Sequence, residues 1–87
     1  MESNYEKQVY TGREYFLKYD QNILIKKYGL EYDKEYLYLK YIETKYRINR
    51  ADGAIEYEEH REWKTCKEYT IVMTIYDLLC YSGEDTL

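Results

Sequence analysis

Proline is absent from the 87 residues, and glycine occurs at only four positions, 12, 29, 53 and 83. Glycines this sparse leave no Gly-rich loop to cradle a phosphate, and no serine sits in a nucleophile elbow. Basic residues are outnumbered, 13 against 17 acidic, for a net charge of −4. A protein that displaces counterions from phosphates needs a dense basic face, so the composition disfavours nucleic acid as a partner. No apolar run is long enough to span a bilayer, and the N-terminus has no signal-peptide pattern. Together these absences predict a soluble, cytoplasmic protein of one small domain over 1–87.

Histidine occurs once and cysteine twice, at Cys66 and Cys80. A zinc site wants three or four convergent ligands at tight spacing, and an iron–sulfur cluster normally takes four cysteines. His60 with Cys66, amid Glu58, Glu59 and Glu62, does not meet either requirement. The sequence therefore predicts no metal and no cofactor. If both cysteines lie in one helix, 14 residues place them ~21 Å apart, whereas a disulfide needs Cα atoms within ~7 Å. Two reduced thiols fit a cytosolic compartment.

Phenylalanine also occurs once, against 14 tyrosines. Tyrosine rings bury large area, but their hydroxyls need partners. A shallow core follows, with ring bodies inside and hydroxyls at the rim. Marginal stability, or stabilisation by a partner, is the corresponding expectation.

Residues 4–19 read as a helix, with Tyr5, Val9, Gly12, Phe16 and Tyr19 on one side. Asp20 is placed to cap a short second helix over "QNILIKKYG". Gly29 fits its C′ position, Leu30 folds back on the last turn, and Lys26 and Lys27 complement the dipole. From Glu35 the period becomes two. Turns centred on Glu43-Thr44 and on Asp52-Gly53, the latter a type I′ signal, pair Leu39 with Ile48, Ile48 with Tyr57, and Arg47 with Glu58. One face then collects Leu37, Leu39, Tyr41, Tyr46, Ile48, Ile55 and Tyr57. The other carries Tyr36, Tyr38, Lys40, Arg47, Asn49, Glu56 and Glu58. A slip of one residue would scramble this separation, so a three-stranded meander is predicted.

Thr65 and Glu68 have the spacing of a capping box in front of "YTIVMTIYDLLCY". The polar positions of this last element, Lys67, Thr70, Thr74, Asp77 and Tyr81, form one narrow stripe, and the rest is apolar. A helix so widely apolar belongs in the middle of something. Three short strands and two small helices are not expected to cover it, which predicts self-association as a homodimer. The predicted fold is α+β in the order α-α-β-β-β-α, with the last helix packed on the sheet.

The stretches "FLKYD" at 16–20, "KKYGLEYDKEYLYL" at 26–39, "YRINRADG" at 46–53 and "MTIYDLLCYS" at 73–82 resemble the N-terminal part of an uncharacterised family of anaerobic bacteria and archaea, domain of unknown function 3786. The resemblance spans nearly the whole chain and rests on ordinary residues in order, with no catalytic motif among them. It implies a longer domain in which a second half follows the equivalent of "YDLLCYS", so that this chain is a short form or an N-terminal fragment. It also implies a setting in anaerobic metabolism, where some relatives are joined to iron–sulfur domains. It supplies no activity, cofactor or catalytic residue.

Single residues add little chemistry. Cys66, at the start of the predicted helix, would have its thiol pKa lowered by the dipole, with His60 near in sequence. It reads more simply as a small first-turn residue behind a threonine cap. Cys80 reads as core, and Asp77 as solvent-facing on the polar stripe. No catalytic residue emerges, and the chain is not expected to be an enzyme. Tyr36 and Tyr38 beside Lys40 and Arg47 remain, an outer sheet face whose tyrosines and arginine are residue types enriched at protein interfaces. They predict a non-catalytic interaction or structural module whose partner is another protein or a second copy. Two alternatives stand beside it: a non-catalytic part of a larger enzyme or cofactor-handling protein, and an acidic decoy of a nucleic-acid-binding protein.

Overall fold

The computed structural model describes residues 3–80, with side chains from residue 11 onward. Tyr81 and Gly83 lie outside the described residues, as do the side chains of Tyr5 and Val9. The chain is α+β. Helix α1 runs over Ser3–Lys18 and α2 over Gln21–Tyr28. Five strands follow: β1 (Glu31–Tyr32), β2 (Tyr36–Tyr41), β3 (Thr44–Asn49), β4 (Ile55–Glu59) and β5 (Glu62–Thr65). Helix α3, Tyr69–Cys80, closes the fold. The strands form one antiparallel meander in sequence order. It has two edge strands more than the sequence predicts, β1 being too short to show a period.

The expected caps of α2 are present. The Asp20 carboxylate accepts the backbone N–H of Asn22 at 3.0 Å, and Gly29 is left-handed with φ 64°. The Leu30 N–H reaches back to the Ile25 carbonyl at 3.1 Å. This closure folds Leu30 back on the last turn, as read from the sequence, and it also packs Leu30 against the core.

The strand faces are as predicted, but the register is not. Tyr41 pairs with Thr44, Leu39 with Tyr46 and Leu37 with Ile48, so the first turn is Ile42-Glu43. Tyr46 pairs with Tyr57, Arg47 with Glu56 and Ile48 with Ile55. Both pairings differ from the sequence reading by two residues. Side chains alternate with a period of two, so every residue keeps its face. The Asp52-Gly53 signal is not a two-residue I′ turn. A four-residue loop is closed by Asn49 N–H to the Ala54 carbonyl at 2.8 Å, and Asn49 Oδ1 accepts the N–H groups of Ala51 and Asp52. Only Gly53 there has positive φ. The hairpins with positive φ at both turn residues are Ile42-Glu43 and His60-Arg61, which contain neither glycine nor asparagine.

The core lies on one side of the sheet. Phe16 of α1, Leu24 of α2, Leu37, Tyr46, Ile48 and Ile55 of the sheet, and Val72, Ile75, Tyr76, Leu79 and Cys80 of α3 are buried together. Each of the Phe, Leu, Ile and Val side chains among them contributes about 1.5–3 kcal/mol of transfer free energy. Helix α3 lies against α1 where Gly12 faces the Tyr76 ring, and the Tyr76 hydroxyl donates to the Gly53 carbonyl. The chain thus covers its own apolar helix, contrary to the expectation from sequence. Leu78 and Tyr69 are its exposed large apolar residues, and Asp77 faces solvent as read. A second copy is not needed to bury α3.

The start of α3 also differs. Thr65 is the last residue of β5, and the first helical bond runs from the Val72 N–H to the Glu68 carbonyl. Thr65 therefore caps nothing, and Cys66 precedes the helix. Cys66 and Cys80 are not joined in a disulfide.

Candidate functional site

The side of the sheet opposite the core carries the four residues singled out from the sequence. Tyr36, Tyr38 and Lys40 alternate along β2, with Arg47 and Lys45 facing them from β3. None takes part in the core cluster. The face is organised by Arg47. Its guanidinium carbon lies 3.8 Å from the centroid of the Tyr36 ring and 4.4 Å from that of Trp63. Its Nε donates to Glu56 Oε1 at 2.6 Å across the β3–β4 pair. The partner is Glu56, not the Glu58 expected from sequence, because of the two-residue register difference. Partial burial disfavours the Arg47 charge, but the Glu56 carboxylate together with Tyr36 and Tyr38 outweighs it and holds the arginine pKa above its ordinary value. With its charge held this way, Arg47 organises the face and is not a free cation for phosphate.

Tyr38 continues the cluster, with ring centroids 6.1 Å from Tyr36 and 6.0 Å from Trp63. Its hydroxyl donates to Asp33 Oδ2 at 2.7 Å, while Asp33 Oδ1 accepts the N–H groups of Glu35 and Tyr36 at 2.8 Å each. Asp33 therefore pins the turn before β2 and one ring of the face together. These bonds lower the Asp33 pKa, that from Tyr38 first. The same bond is the leading reason that the Tyr38 pKa is raised.

Lys40 stands apart from the stack. It is exposed and lies directly opposite Lys45, whose ammonium is 5.6 Å from the Tyr38 ring centroid. Among the described residues neither lysine has an ion-pair partner. Like charges directly across an antiparallel pair repel.

Trp63 is the main residue that sequence reasoning missed. It belongs to β5, whose "EWKT" is too short to show a period and follows a turn, His60-Arg61, without turn-forming residues. Only its place in the fifth strand brings it to the face.

The remaining candidates separate. His60 sits exposed in the β4–β5 turn. Cys66 lies in an open groove of about 750 Å³ between β5 and the start of α3, with Tyr46, Tyr57, Lys64 and Ile71. Burial pushes its thiol pKa up, the reverse of activation by a helix end. Among the described residues no three His, Cys, Asp or Glu side chains are grouped to hold a metal ion. None of the helices described is long and apolar enough to cross a membrane. No family model, curated protein or solved structure matches the chain. Function therefore has to be argued from the face itself.

Proposed function

We propose that this chain is a non-catalytic protein-interaction module and that its outer sheet face receives an acidic segment of a partner protein. The observation that carries this is the Lys40–Lys45 pair, two cations directly opposite one another and without an ion-pair partner among the described residues, beside an aromatic cluster. Such a pair costs the isolated fold stability, and a carboxylate from a partner would convert that repulsion into attraction. Tyr36, Tyr38, Arg47 and Trp63 supply the aromatic and arginine content typical of binding hot spots. Arg47 is held by Glu56 and Tyr38 by Asp33, and Tyr36 and Trp63 pack on these two in the chain alone, which lowers the entropic cost of docking.

Kinship with domain of unknown function 3786 is proposed on the four resembling stretches alone. It assigns no chemistry to this face. The test of the proposed function is the Lys40→Glu variant. It replaces a repulsive cross-strand pair by an attractive one, so the fold should be retained while an acidic ligand is lost. Retention of the ligand by this variant would overturn the reading.

A further inference from the structure

Strand β5 is an edge of the sheet, and the backbone shows which of its groups are open. Cys66 N–H bonds the Ile55 carbonyl at 3.0 Å, and the β4–β5 register continues in step through Lys64 opposite Tyr57 and Glu62 opposite Glu59. In an antiparallel ladder alternate residues face their partner, so 62, 64 and 66 bond towards β4. The N–H and C=O groups of Trp63 and Thr65 point away from the sheet, where no strand follows among the described residues.

The charges on this edge are unbalanced. Glu59 and Glu62 lie directly opposite one another, and Lys64 gives its ammonium to Glu59 at 3.0 Å. Among the described residues Glu62 has no cationic partner. A chain that pairs with this edge and presents a lysine opposite Glu62 would relieve the repulsion.

We infer that β5 pairs antiparallel with β5 of a second copy, joining two five-stranded sheets across a two-fold axis at Trp63. Open groups must meet open groups, which leaves three registers around the middle of the strand. Centring on residue 62 sets Glu62 against Glu62 of the other copy, and centring on residue 64 sets Lys64 against Lys64. Centring on Trp63 sets Glu62 against Lys64 twice. Cross-strand charges therefore select the Trp63 register. There the two Trp63 residues exchange both backbone hydrogen bonds, and each Lys64 bridges Glu59 of its own chain and Glu62 of the other. Both copies use the same patch, as closed two-fold symmetry requires. A short, charged edge of this kind discourages promiscuous pairing while accepting its own complement.

This inference does not depend on the acidic partner of the outer face, and the same experiment separates the two. Sedimentation velocity over a concentration series is expected to show a monomer–dimer equilibrium for the wild-type chain. Glu62→Lys puts a lysine opposite Glu59, which favours the folded hairpin, but opposite Lys64 of the other copy. It is expected to weaken the dimer at least about tenfold with no loss of melting temperature. Lys64→Glu is also expected to be monomeric. An equimolar mixture of the two variants restores both attractive pairs and is expected to dimerise. Lys40→Glu is expected to dimerise as the wild type does. A wild type that stays monomeric at the highest concentration attainable, a Glu62→Lys dimer as tight as wild type, or a mixture that stays monomeric would each overturn the inference.

Discussion

Gly12 and Tyr76 are in such close contact that a Cβ on residue 12 would lie 2.7 Å from Cδ2 of the ring, with Cγ at 3.1 Å and Cβ at 3.2 Å. The ring is held from two further sides. Its centroid is 6.3 Å from that of Phe16, and its hydroxyl donates to the Gly53 carbonyl. Helices α1 and α3 can therefore approach only as far as a glycine allows. Alanine ordinarily favours a helix interior over glycine by about 1 kcal/mol. Here overpacking should dominate, and Gly12→Ala is expected to lose about 1–3 kcal/mol. Thermal unfolding reads the sign directly. A raised melting temperature would show that the contact is loose.

Face assignment is legible in the sequence, whereas register and the closure of α1 on α3 are not. Alternation from Leu37 to Tyr57 identified every sheet residue of the core, because face depends only on odd or even position. Register depends on turn chemistry, and there the signals misled. Asp52-Gly53 sits in a four-residue loop, whereas the tight turns are Ile-Glu and His-Arg. The T-x-x-E spacing at Thr65 matched a capping box although Thr65 ends a strand. Three short strands and two small helices are not expected to cover α3. That expectation leaves out the close approach of α1 that Gly12 allows. On the outer face Tyr36, Tyr38, Lys40 and Arg47 were legible from period and composition. Trp63 and the choice of Glu56 were not, since both depend on how strands distant in sequence are placed.

The Asp33–Tyr38 bond ties the face to pH from both ends of the scale. The Asp33 pKa is lowered in the folded chain from an ordinary value of 3.8, so its stabilising contribution is present above that value and lost as pH falls through the folded pKa. The Tyr38 pKa is raised from 10.0, so its contribution is present below that value and lost as pH rises through the folded pKa. Asp33→Asn is expected to flatten the stability profile on the acid side, and Tyr38→Phe on both sides. Chemical denaturation at a series of pH values checks this. A Tyr38→Phe profile parallel to wild type would show that the bond is not formed in solution.

Turn Ile42-Glu43 carries strain that substitution should release. Ile42 has φ 47° and Glu43 φ 65°, and Ile42 is 76% exposed, so its side chain gains little from packing. A β-branched residue is poorly suited to positive φ, and type I′ hairpins favour Asn-Gly. The double variant Ile42→Asn/Glu43→Gly is expected to gain about 1–2 kcal/mol. Urea unfolding provides the measurement, and unchanged or lower stability would argue against positive φ at these two residues.

The outer face is tested most directly by titrating the 15N-labelled chain with a glutamate-rich peptide and following its amide and indole resonances. In the wild type, saturable shifts are expected at Lys40, Lys45, Tyr38 and the Trp63 indole, weakening as salt is raised. In Lys40→Glu the spectrum should remain dispersed and those shifts should disappear. Shifts centred on Lys26 and Lys27 instead, or an undiminished response in Lys40→Glu, would contradict an acidic partner at this face.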